Sequence, residues 1–128
     1  MPSSETLERF IARVESNAHA EAIEDFYAEA ASMQENQKPP RRGRDHLVQH
    51  ERAVLARARQ VSSRCVRPVL VHGEHVVIRW IFEFEWQDGR RTRMEELAWQ
   101  EWAGERIVRE QFFYDPAQLV PAPADTAP

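Results

Sequence analysis

FYAEAASMQENQKPPRRGR, residues 26–44, is the stretch on which the reading of the chain turns. It reads as the end of a helix, then a polar turn carrying Glu35, then Pro39, Pro40 and Gly43 ahead of a further helix. Two prolines in succession remove amide donors and push the preceding residues away from helical angles, so residues 32–42 are expected to form a loop. Before this stretch the apolar residues follow a helical period, and after it they alternate.

Toward the N-terminus, Leu7, Phe10, Ile11 and Val14 recur at helical spacing, with Ser3 or Ser4 available as N-cap. Asn17 is placed to cap a second helix with an apolar face of Ala22, Ile23, Phe26 and Ala30, and Tyr27 borders that face with its hydroxyl toward a cavity. Beyond the prolines, a third helix is expected from Arg44 or Asp45 to about Arg59, with a stripe of Leu47, Val48, Val54, Leu55 and Ala58. Glu51 falls inside that stripe on a 3.6-residue period. A carboxylate on a buried face is costly unless paired, hydrogen-bonded or protonated, which singles it out.

The second half reads as strands. Residues 61–72 are rich in Val, with Pro68 pointing to an edge position or a bulge. In residues 75–86, Val76, Ile78, Trp80, Phe82, Phe84 and Trp86 share one face, and Arg79, Glu83 and Glu85 the other. Asp88-Gly89 marks a hairpin turn, residues 91–102 the return strand, Gly104 a second turn and residues 106–115 the last strand. Pro116 ends it. Three helices followed by an antiparallel meander give an α+β domain over residues 1–119, and the proline- and alanine-rich residues 120–128 are expected to be a disordered tail.

Composition excludes several classes of function. At 128 residues the chain is one domain with a single core. A net charge of −4 offers no basic footprint, so no nucleic acid is expected, and the cluster Arg41, Arg42 and Arg44 reads as a solvated loop. Nothing approaches the ~18 apolar residues of a membrane span, and MPSSETLERF has no secretory pattern. Cys65, the single cysteine, rules out an intrachain disulfide and reads as a small buried hydrophobe, in keeping with a cytoplasmic location. His46 and His50 stand four apart on the third helix, but no further ligand cluster completes a metal site and no phosphate-binding glycine loop occurs, so neither metal nor cofactor is expected.

The run FYA, then MQEN, then PP and GRD resembles the front half of SnoaL-like and ketosteroid isomerase-like proteins of the nuclear transport factor 2-like superfamily. The resemblance extends over about residues 7–119. It implies a cone in which three helices pack on a curved, mostly antiparallel sheet around a small-molecule pocket. It also implies a homodimer through the outer sheet face, where Ile81, Leu97, Trp99 and Phe113 fall. That fold hosts isomerases, cyclases and non-catalytic binders alike.

Residue by residue, the resemblance places Glu35 where the isomerases carry a carboxylate base, whose pKa is expected to rise by desolvation. It places Phe10 and Ala98 where they carry oxyanion donors, and neither side chain can donate. A steroid isomerase of the known type is therefore not expected. The same register turns Trp80, Phe82, Phe84, Met94, Glu96, Gln100, Trp102, Glu110, Phe112 and Tyr114 inward. Glu35, Glu51 and Glu96 are then the candidate catalytic acids and bases. Tyr27, Met33, His50, Trp80, Phe82, Gln100, Glu110, Phe112 and Tyr114 are the candidate ligand contacts, with His50 a pocket-edge residue or the partner of Glu51. Close carboxylates cannot all ionise, so at least one is expected to hold a proton near neutrality.

Two readings follow. One is a cofactor-independent isomerase or cyclase with Glu35 as base and Glu51 or Glu96 as proton donor. The other is a ligand-binding or scaffold protein in which arginines neutralise the glutamates. Either would hold a small apolar or amine-bearing molecule, the latter against Trp80. A register one residue off would instead put Glu96 and Glu110 into cross-strand ion pairs on the outer face.

Overall fold

The structure, a computed structural model, describes residues 1–123. Helix α1 (Ser4–Glu15) starts where Ser3 accepts the Thr6 amide at 3.0 Å, and it buries Leu7, Phe10, Ile11 and Val14. Helix α2 (His19–Phe26) follows a tight turn in which Asn17 adopts a left-handed φ of 68°. Asn17 is not the helix cap; Ala18 holds that position without a side-chain bond.

The quoted stretch departs from its expected form. Residues Tyr27–Glu35 are a strand, β1, followed by the short β2 (Arg41–Arg42). The expected helical face runs on to Ala30, yet Ala30 is exposed and lies in the strand. Parallel pairing decides the matter: Ser32, Met33, Gln34 and Glu35 pair with Arg109, Glu110, Gln111 and Phe112 of a strand more than seventy residues away. No local pattern encodes such a partner.

Helix α3 (Arg44–Ala56) begins after Gly43, whose φ of 94° suits glycine. It stops short of Arg59 and buries only Leu47 and Val48, because Val54 and Ala56 face a cavity. Strands β3 (Ala58–His72), β4 (His75–Trp86), β5 (Arg91–Ala103) and β6 (Arg106–Phe113) complete a six-stranded sheet of order β2-β1-β6-β5-β4-β3. β3 is an edge strand, and its register slips between Val66 and Leu70, around Pro68. Gly89 closes the β4–β5 hairpin at φ 86°, donating to the Trp86 carbonyl.

The core lies between α1, α2 and the inner face of the sheet, around Phe10, Ile11, Phe26, Ile78, Trp80 and Trp102. On the outer face Arg79 pairs with Glu95, Arg93 with Glu83 and Glu95, and Arg109 with Glu101. These odd-numbered glutamates take the ion pairs, which leaves Glu96 and Glu110 on the inner face.

A 3₁₀ turn (Pro116–Leu119) folds back along β5, where Gln118 bonds both the amide and the carbonyl of Glu95. Ala122 then exchanges two backbone bonds with Arg91, so the chain is held that far. The rest of the expected tail, residues 124–128, lies outside the described residues. Among the described residues no helix is long and apolar enough to cross a membrane.

Candidate functional site

A cavity of about 880 Å³ lies between the helices and the inner face of the sheet. Its depths are formed by buried Phe10, Ile23, Tyr27, Met33, Trp80 and Met94, whereas Lys38, Arg57, Asp88 and Arg90 at its margin are exposed. The period-two pattern of β4 builds one wall. Trp80 stacks on Phe82 with centroids 5.4 Å apart, and Phe84 stacks on Trp86 at 5.0 Å. The size suits a drug-sized molecule, and the lining is apolar with a few convergent polar groups.

The most buried polar group of the cavity wall is Glu110, only 1% exposed. Its Oε1 accepts from the Tyr27 hydroxyl and its Oε2 from the Gln100 amide at 2.6 Å. Trp102 Nε1 donates to the Gln100 carbonyl at 3.0 Å, which leaves that amide's N–H₂ to face the carboxyl. Burial pushes the Glu110 carboxyl up to about 7, with these two bonds opposing it and the charge of Glu51 adding to it. Tyr27 is itself raised well above a normal phenol, by burial and by Glu110.

Glu96 has no such support. It stands opposite Trp80 in the β4–β5 register and lines the cavity. Among the described residues no hydrogen bond or ion pair reaches its carboxyl. Burial pushes it up to about 8, assisted by the nearby charges of Glu110, Glu35 and Glu51. An acid in this setting is biased toward its neutral form, which can donate.

Glu35, at the end of β1, is the opposite case. Burial raises its carboxyl, but Arg41 at 2.5 Å and the Tyr114 hydroxyl at 2.8 Å more than offset that, and the net shift is downward. The expected rise at Glu35 is thus overturned by Arg41, which is a half-buried wall residue and not part of a solvated arginine loop.

Glu51 projects from α3 into the same cavity, and its partner is His19, not His50. His19 Nδ1 lies 3.3 Å from Glu51 Oε1, and Nε2 lies 2.7 Å from the Ser63 hydroxyl. Ser63 donates in turn to Asn17 Oδ1 at 2.8 Å, and the imidazole meets Phe82 edge to face. His50 lines the cavity, and its imidazole is shifted downward by burial and by Arg41. His46 is exposed.

Of the residues expected at the site, Glu35, Glu51, Glu96, Tyr27, Met33, His50, Trp80, Phe82, Glu110 and Phe112 line this one cavity. Gln100 lies fully buried behind Glu110, and Tyr114 reaches the site through Glu35, so neither forms part of the wall. Phe10 lines the cavity, Ala98 is fully buried, and neither offers a donor. The sequence reading missed His19. Its signal was present, since position 19 shares the stripe of Ala22, Ile23 and Phe26 on α2.

Comparison with known proteins agrees with this architecture. The sequence model of the SnoaL-like domain matches residues 7–110, and the chain belongs to that family. No curated protein matches the chain. A Catenulispora acidiphila protein with a ketosteroid isomerase-like fold, solved with trimethylamine, superimposes with a TM-score of 0.75 at 17% identity, covering 98% of this chain and 99% of that one. A Mesorhizobium loti protein provisionally named a SnoaL-like polyketide cyclase gives 0.72 at 20% identity, covering 87% and 97%. A Burkholderia pseudomallei protein of unknown function, described as nuclear transport factor 2-like, gives 0.76 at 12% identity, covering 91% and 92%. The fold is the nuclear transport factor 2-like cone, with three helices on a curved, mixed but mostly antiparallel sheet.

Proposed function

We propose, with membership of the SnoaL-like family as the premise, that this chain is a cofactor-independent acid/base catalyst of the isomerase or cyclase type. Its ligand is a small, mostly apolar molecule bearing a carbonyl group. The observation that carries this reading is the contrast between Glu35 and Glu96. Arg41 and Tyr114 favour the charged form of the first, while the second has no partner among the described residues and is biased toward its neutral form in the same cavity. Two carboxyls whose surroundings push them apart supply a base and an acid at one pH.

In this account Glu35 takes a proton from carbon next to the carbonyl, and the Glu96 carboxylic acid donates a hydrogen bond or its proton to the carbonyl oxygen. Return of the proton from Glu35 to a second carbon, and of the other from oxygen to Glu96, leaves the protein unchanged. Glu96 thereby takes the task that Phe10 and Ala98 cannot perform. Tyr27, Gln100 and Trp102 hold Glu110 as a further buried acid, and the aromatic wall orients the ligand body.

The test is deuterium uptake from D₂O by a panel of cyclic ketones. Wild type is expected to exchange a ligand's α-hydrogens, with Glu35→Gln and Glu96→Gln each slower by ~10²-fold or more. Wild-type exchange matching both variants across the panel would sink the catalytic reading.

A binding role is the second reading, and the Glu35–Arg41 pair favours it, since that carboxylate already has partners on both oxygens. The occupant would then be an apolar or amine-bearing molecule, its ammonium set against Glu96 and the Trp80 ring opposite it. In either role the outer face invites a homodimer: Leu97 and Phe113 are cross-strand neighbours there, and with Trp99 they are 46%, 39% and 43% exposed.

A further inference from the structure

The four-residue chain Asn17–Ser63–His19–Glu51 constrains where protons can lie. Ser63 has one hydroxyl hydrogen, and it goes to Asn17 Oδ1. Toward His19 the serine can therefore only accept, so Nε2 must carry a hydrogen. A neutral ring with its hydrogen on Nε2 would turn the Nδ1 lone pair toward the Glu51 carboxylate at 3.3 Å, lone pair against lone pair. One more proton has to sit between them, on the imidazole or on the carboxyl. His19, only 8% exposed, and the more open Glu51 both line the cavity, so that proton has its outlet on the ligand side.

We propose that His19 is a positioning residue that, anchored by Ser63, stores a second exchangeable proton with Glu51 and presents it through that carboxyl to the bound molecule. Delivery to a ligand rests on the acid/base reading above, but the position of the proton does not. Each element packed around the imidazole contributes to the arrangement: Asn17 from the α1–α2 turn, Glu51 from α3, Ser63 from β3, and the Phe82 ring from β4. The stored proton also offsets part of the charge that Glu51 projects onto Glu96 and Glu110. His19 thus governs the acidity of groups it does not touch.

The experiment is NMR of the full chain with ¹⁵N-labelled histidine and ¹³C-labelled glutamate. At neutral pH the His19 Nε2 of wild type is expected to resonate as a protonated nitrogen, and an unprotonated Nε2 would overturn the proposal. In His19→Gln the Glu96 midpoint should move up by roughly 0.5 pH unit as Glu51 loses its compensating proton, and in Glu51→Gln it should move down. A Glu96 midpoint unmoved in both variants contradicts the coupling. A wild-type Glu96 titrating as an ordinary carboxyl defeats the acid/base reading alone, because the Nε2 result stands apart from it.

Discussion

Glu35 and Glu96 line one cavity and are biased toward opposite charge states. Arg41 and Tyr114 hold the first ionised, whereas the second has no partner for a negative charge among the described residues. The strand register places them there: Glu35 ends β1 beside Phe112 of β6, and Glu96 sits on β5 opposite Trp80.

Stability should fall as pH rises from about 5 to about 8. Glu96 at about 8 and Glu110 at about 7 both lie above their ordinary value of 4.5, so in this window the folded chain keeps protons that the unfolded chain has released. Each group then lowers unfolding free energy by up to ~1.4 kcal/mol per pH unit. Denaturant titrations across this range check it. Glu96→Gln should flatten the dependence, and a wild-type stability that rises through the window would contradict the assignment.

Tyr27→Phe removes a donor from a carboxyl that water does not reach. A loss of about 1–3 kcal/mol is expected in urea unfolding. Because the Tyr27 bond lowers the Glu110 midpoint, its removal should raise that midpoint, and the variant should be weakest at alkaline pH. A fully tolerated substitution would mean that the phenol and the carboxyl do not share a hydrogen bond.

Arg41→Met should leave the fold in place and raise the Glu35 midpoint, since the guanidinium both bonds that carboxyl and attracts its charge. Carboxyl ¹³C shifts report it directly. An unchanged Glu35 would show that Tyr114 alone holds the group.

Trp99→Glu with Leu97→Lys places charges on the exposed apolar face of β5. Sedimentation is expected to show a dimer for wild type and a monomer for the variant. A wild-type monomer would dismiss the proposed interface.

Much of this was legible in the residues. The alternation of β4 forecast its aromatic wall and the helical stripe of α3 forecast Glu51 on the pocket side, whereas Glu96 was placed inward only by the family resemblance. What escaped was non-local. β1 is a strand because β6 pairs with it in parallel, and alanines that favour a helix concealed this. The restraint on Glu35 comes from Arg41, six positions along, beyond two prolines whose path no periodicity describes. His19 was visible as a polar residue in an apolar stripe, but its partners Glu51 and Ser63 come from other elements.

The most direct test is a ¹³C carboxyl titration of Glu35 and Glu96 in the folded protein. Glu96 should titrate near 8 and Glu35 below the ordinary carboxylate range, leaving an acid and a base together at neutrality. Both groups titrating together at ordinary values would contradict the account, and the cavity would then be one that binds without catalysis.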